Sequence, residues 1–189
     1  LIVPLATLMH RLPPPGYVDG NTLLLDVCDE VDLEQMRRRF EQSGYRCVSQ
    51  VVEHGEFAVR GSIIDLYPTG SRRPYRIELF DKEVESIRTF DPETQRSHDK
   101  VEGIRLLPAR EFPLTEEAIK RFREAYRESF EGDPQKSLIY RDVSNGLTPP
   151  GIEYYLPLFF QETATLFDYL PANTLLVTTE NVEEAAEAF

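Results

Sequence analysis

The sequence is poor in the residues that build metal sites and disulfide frameworks. It has two cysteines, Cys28 and Cys47, and three histidines, and none of these stands at the spacing of metal ligands. One disulfide is possible, but disulfide frameworks belong to short secreted chains with more cysteine, so we expect free thiols in a cytosolic protein. We therefore expect no metal, no cofactor and a cytoplasmic location.

Long apolar runs and an excess of positive charge are also missing. No stretch approaches the ~18 apolar residues of a membrane span, and the opening segment lacks the basic residues of a signal peptide. Lysine and arginine number 21 against 33 acidic residues, so the net charge is −12. Because affinity for phosphates comes from clustered lysine and arginine, any DNA contact would need a local basic patch. The chain starts at Leu1 rather than Met, and we expect it to be part of a longer protein.

Motifs for catalysis are absent from the sequence. There is no G-x-x-x-x-G-K-[ST] phosphate loop, no G-x-S-x-G elbow and no H-E-x-x-H helix. His54 in the run Glu-His-Gly-Glu is the most chemical-looking local cluster, and a turn between strands explains it about as well. The acidic pairs at 116–117 and 183–184 are poor candidates for an acid/base pair, because adjacent helical residues point in different directions. A solvated helix face explains them better. The sequence favours a protein that is not an enzyme.

Hydrophobic periodicity predicts an α/β protein in which the pattern of predicted helices and strands changes near residue 103. Pro13–Pro15 can continue neither a helix nor a central strand, so residues 1–15 are expected to be the tail of a preceding domain. Residues 16–103 predict an α+β domain with a mixed or antiparallel sheet, and 104–189 a second segment. The predicted strands are 22–27, 57–67, 75–80, 84–90 and a buried strand at 173–178; the predicted helices are 31–40, 115–130 and 152–160.

The strand at 75–80 carries an unusual open face. Alternate side chains share a face, so Tyr75, Ile77 and Leu79 form the core side and leave an arginine, a glutamate and a phenylalanine in one outer row. Pairing with the preceding strand brings a further arginine near this row. The four residues concerned are Arg60, Arg76, Glu78 and Phe80.

Two interpretations of this row remain open. Arginine and aromatic residues are enriched at binding hot spots, and residues 45–80 carry a net charge of +1 within a strongly acidic chain, which suits a partner with an acidic patch. Alternatively, Arg60 and Arg76 simply pair with Glu78 across the strands. Composition alone favours the second interpretation.

Longer motifs resemble a known family. The runs FAVRG (57–61), IDLYP (64–68) and RIELFD (76–81) resemble the second domain of the nucleotide-excision-repair protein UvrB, and GIEYY (151–155) and TLFDYLPA (165–172) resemble its following segment. The run EHGEF (53–57) and the extension of GIEYY into LPLFF (156–160) are closer to the UvrB-homology region of the Mfd family of bacterial transcription-repair coupling factors.

The resemblance implies an interaction module. It implies that residues 16–103 dock UvrA, the damage-recognition ATPase, and that 104–189 form part of a helicase-like α/β domain. The family's binding residues fall on Arg60, Arg76 and Phe80, with Glu78 on the same face and Arg46 a weaker candidate. The parent protein would act on RNA polymerase and DNA through other regions, and recruit UvrA to stalled polymerase through this one.

Two rival functions follow from the same sequence. A fragment of the UvrB ATPase itself would need an Asp–Glu pair after the Leu-Pro-Ala segment, but the resemblance aligns Thr179 with the metal-binding Asp, and a neutral hydroxyl is a poor ligand for a hard divalent cation. A DNA-contacting module would use Arg37–Arg39, although three arginines on a helix are typical of a solvated face.

Overall fold

The structure is a computed structural model that describes residues 2–179 and 181–187. It divides the chain into two compact units: residues 18–115, and the described residues of 1–17 and 116–189. The α-helices are α1 (Leu5–Leu8), α2 (Pro15–Asn21), α3 (Leu33–Gln42), α4 (Glu116–Ser129), α5 (Leu138–Ser144) and α6 (Val182–Glu187). The strands are β1 (Leu23–Asp26), β2 (Arg46–Cys47), β3 (Glu56–Arg60), β4 (Ile63–Tyr67), β5 (Tyr75–Phe80), β6 (Glu83–Phe90), β7 (Ser97–Val101) and β8 (Gly103–Leu106). This confirms the predicted α/β class.

The 18–115 unit is built on a meandering sheet. Six strands lie in the order β2-β3-β4-β5-β6-β7, and every neighbouring pair is antiparallel except β2–β3. β1 and β8 form a separate antiparallel ladder. The predicted strand at 57–67 is two strands, because Gly61 and Ser62 turn the chain back and Arg60 pairs with Ile63.

One face of the sheet packs on helix α3, and this inner face holds the main core. Met36 and Phe40 of α3 are buried against the sheet, with the Phe40 ring 5.3 Å from that of Phe57. Apolar side chains on alternate strand positions complete the core, as a half-buried sheet requires. They include Ile64, Leu66, Ile77, Leu79, Val84 and Ile87.

Local signals set the ends of α3. The Asp32 carboxylate accepts a hydrogen bond from the Gln35 N–H, which is the usual N-cap arrangement. Gly44 follows the last turn of the helix with φ of +91°, the left-handed conformation that commonly ends a helix. A side chain there would also meet Arg110, since a Cβ would lie 2.6 Å from its Cγ. The predicted helix is therefore confirmed, two residues further along the chain.

Two tight turns close one end of the sheet. Gly61 opens the β3–β4 turn with φ of +61°, and Asp81 opens the β5–β6 turn with φ of +56°. Positive φ at the first loop residue suits two-residue hairpins. The Leu79 N–H donates to the Ser62 carbonyl at 2.8 Å, so the two turns lie side by side. Phe80 is the last residue of β5, next to the second turn.

The other unit is helical in its described part. Its core is a cluster of aromatic rings on α4, α5 and the 3₁₀ segment Ile152–Phe159, with Phe122 and Phe159 4.9 Å apart. The strand predicted at 173–178 is wrong: these residues are exposed and have no regular structure. An apolar strand needs a sheet to join, and the described part of this unit contains no other strand.

No α-helix among the described residues has both the length and the apolar character needed to cross a membrane.

Candidate functional site

The face of the sheet opposite α3 carries the predicted site residues. We call it the outer face; it is formed by the alternate strand positions that point away from the main core. Its residues are Glu56, Ala58, Arg60, Ile63, Asp65, Tyr67, Arg76, Glu78, Phe80, Ser86, Arg88, Phe90 and Lys100. All four residues predicted for the outer row of β5 and its neighbour, Arg60, Arg76, Glu78 and Phe80, lie on this face.

A buried carboxylate organises the two arginines. Asp65 of β4 is fully buried and pairs in register with Arg76 of β5. The Arg76 guanidinium donates through Nε to Oδ1 at 2.7 Å and through Nη2 to Oδ2 at 2.9 Å, a bidentate geometry. Arg60 donates to the same Oδ2 through Nη2. The alternative pairing with Glu78 is therefore not the one found, and Asp65 takes that role.

Arg76 is held from several sides. Its Nη1 donates to the Gln95 carbonyl at 3.1 Å and to Ser97 Oγ at 3.3 Å, and its guanidinium carbon lies 4.9 Å from the centre of the Phe90 ring. The hydrogen bond to Asp65 raises the pKa of Arg76 above its ordinary value, outweighing burial. Only 15% of this side chain is exposed, against 50% for Arg60. Arg76 thus projects less freely than its strand position suggests.

Phe80 and Glu78 complete the row. Phe80 is 75% exposed, although it ends an otherwise well-packed strand. Glu78 is partly buried, and its Oε2 accepts a hydrogen bond from the Ser86 hydroxyl at 2.6 Å. β6 makes room for this contact with a bulge, because Glu78 pairs with Ser86 and Leu79 with Val84.

Arg46 lies on the edge strand β2, with two strands between it and the β5 strand that carries Arg76 and Phe80. It pairs with the buried carboxylate of Glu56 and, at 3.7 Å, with exposed Glu53. Burial would raise the pKa of Glu56, but the N–H groups of Glu53 and Val52, both 2.8 Å away, and the Arg46 guanidinium lower it overall. These contacts give Arg46 a role within the sheet, where it pairs with the buried carboxylate of Glu56, although 66% of its side chain is exposed.

The other candidates have structural explanations. His54 Nε2 lies 2.9 Å from the Ser71 carbonyl, and its ring is 3.9 Å from that of Tyr67, so it anchors a turn. Arg37–Arg39 are exposed on α3, and Arg37 pairs with Glu41 one helical turn away. In the described ranges no group of three or more His, Cys, Asp or Glu residues could hold a metal ion.

The sequence of the chain is similar to those of known proteins. Residues 23–112 match the model of the UvrB interaction domain. The whole chain is 49% identical over 191 residues to the transcription-repair-coupling factor of Haemophilus influenzae and 47% identical over 190 residues to that of Escherichia coli. It is also 34% identical over 194 residues to that of Bacillus subtilis, a match covering 95% of the chain. The chain belongs to the transcription-repair-coupling factor family.

The match covers only part of each relative. The chain spans 16% of the Haemophilus influenzae and Bacillus subtilis proteins and 17% of the Escherichia coli protein. The family model covers the whole six-stranded sheet and therefore every candidate residue on its outer face.

Sequence reasoning missed Asp65 as part of the site. The signal was available, because Ile64 and Leu66 on either side are core residues and so require Asp65 to point outward between two strands that carry arginine. What the sequence does not give is the register that sets this carboxylate directly opposite Arg76.

Proposed function

We propose that this chain is a docking module that binds UvrA through the outer face of its sheet. The observation that carries the proposal is the association of two arginines, fixed by one buried aspartate, with an exposed phenylalanine at the end of the same face. The resemblance to UvrB and the family match favour UvrA as the partner.

Preorganised side chains on this face favour docking. Ordering a long side chain at an interface costs about 0.5–1.5 kcal/mol. Arg76 is already ordered by Asp65, Gln95 and Ser97, so little of this cost remains when a partner arrives. Arg60 leaves half of its side chain exposed beside it, and Phe80 offers an apolar ring. Arginine and aromatic side chains of this kind are typical hot spots.

The wider role is recruitment. In this proposal the parent protein engages stalled RNA polymerase and DNA through regions outside this chain, and the module brings UvrA to the stalled polymerase. The module itself is not catalytic. Thr179, aligned by the resemblance with a metal-binding Asp, supports this, since a hydroxyl does not replace a carboxylate on Mg²⁺.

Replacing Arg60 with glutamine tests the proposal. Arg60→Gln removes one exposed cation, while Asp65 keeps both hydrogen bonds from Arg76, so the fold is expected to remain intact. We expect affinity for purified UvrA, measured by calorimetric titration, to fall about tenfold, as loss of a moderate hot spot does.

Arg38→Gln is the matched control, because Arg38 is an exposed arginine on α3, which packs on the opposite face of the sheet. Its affinity should equal that of the unmodified chain. Equal affinities for Arg60→Gln and the unmodified chain, or no UvrA binding by either, would count against the proposal.

A further inference from the structure

Three cations lie side by side across the outer face. The strand register places Asp65, Arg76, Arg88 and Lys100 directly opposite one another on β4, β5, β6 and β7. Neighbouring strands are about 4.8 Å apart, so the Cα atoms of the three cationic residues lie within about 10 Å of one another. Like charges directly opposite one another destabilise a sheet. Asp65 pairs with Arg76 and with Arg60, but not with the other two cations of the row.

Arg88 is the least satisfied member of this row. Its Nε atom is buried and has no hydrogen-bond partner within the described ranges. The ion pairs found there do not include Arg88 or Lys100. The nearest acidic outer position is Glu78, diagonally across the strand pair, and its carboxylate is engaged by Ser86. An anion would stabilise this partly buried cation beside two others, and the described residues form no ion pair with it.

The surroundings favour a single carboxylate over a nucleic-acid backbone. The chain carries a net charge of −12, which repels a polyanion. Beyond Arg76, the row contains only Arg88 and Lys100. Asp99, the neighbour of Lys100 on β7, forms an exposed ion pair with Arg73. Two adjacent cations match one carboxylate, and they continue the surface formed by Arg76 and Phe80.

We propose that Arg88 and Lys100 bind an aspartate or glutamate side chain of the docked protein, extending the docking surface from β5 across β6 and β7. This inference rests on the proposed function and adds a second contact to it. The contact also relieves the repulsion along the row, so the cost of holding these cations together in the free chain is recovered on docking.

The test is a titration of UvrA with Arg88→Gln and Lys100→Gln, alongside Arg38→Gln as control. We expect each outer-face variant to lose about tenfold in affinity and to show a weaker dependence of Kd on salt, because one charge contact is gone. Urea unfolding should show Arg88→Gln to be as stable as the unmodified chain or more stable. A purely structural role for Arg88 would instead lower stability.

The outcomes separate this inference from the proposed function. If Phe80→Ala weakens UvrA binding while Arg88→Gln and Lys100→Gln bind normally, the second contact is wrong and the docking function stands. If the unmodified chain does not bind UvrA, both fail. Binding of duplex DNA that is lost in Arg88→Gln, with UvrA affinity unchanged, would overturn the carboxylate assignment.

Discussion

Replacing Asp65 with alanine is expected to lower the free energy of unfolding by about 3 kcal/mol or more, because removing one partner of a buried ion pair leaves an uncompensated charge. Most of this loss comes from Arg76, whose side chain is 15% exposed, since Arg60 is half exposed and water screens its charge. UvrA binding should be lost as well, because both arginines lose the group that orients them. Urea unfolding and a UvrA titration measure the two effects.

A double replacement separates stability from docking. In Asp65→Leu with Arg76→Met, apolar side chains of similar volume replace the buried pair, and such exchanges are often neutral or stabilising. We expect this variant to regain most of the stability lost in Asp65→Ala and still to bind UvrA poorly. Normal UvrA binding by Asp65→Ala would show that the carboxylate does not organise the surface.

Replacing Phe80 with alanine is expected to have the largest effect on docking alone. The side chain is 75% exposed, so its removal should change the free energy of unfolding by no more than about 0.5 kcal/mol. Truncating an aromatic hot spot costs about 2 kcal/mol or more of binding energy, or roughly thirtyfold in Kd. Circular dichroism with a UvrA titration checks both expectations.

Leu24→Ala is the matched control for this experiment. Leu24 lies on β1, in the same unit, and is a large apolar side chain that is 67% exposed. Its removal deletes a similar amount of exposed apolar surface outside the six-stranded sheet. Equal losses of affinity in Phe80→Ala and Leu24→Ala would mean that Phe80 has no special place in docking.

Strand alternation predicts the outer face well. The order Tyr-Arg-Ile-Glu-Leu-Phe predicts which side chains of β5 point to the core. Ile77 and Leu79 are buried there, and a shift of one residue would expose both of them. The position of Phe80 on the outer face follows from the same alternation. These features depend only on local periodicity, so they can be predicted from the sequence alone.

Features that depend on pairing between distant segments are harder to predict. The Asp65–Arg76 pair and the row through Arg88 and Lys100 follow from the strand register, and strand β7 has too little apolar periodicity to be recognised from Ser-His-Asp-Lys-Val. The apolar run at 173–178 fails in the opposite way, because local composition predicts a strand where the described unit has no sheet to receive it.

If the outer face itself touches UvrA, a site-specific cross-link from that face should capture the contact. The chain would carry the photoreactive residue p-benzoylphenylalanine at position 80 or, as control, at position 24, and would be irradiated with purified UvrA. We expect a cross-linked product from position 80 and none from position 24. A product from position 24 alone, or binding without any product from position 80, would contradict docking through the outer face.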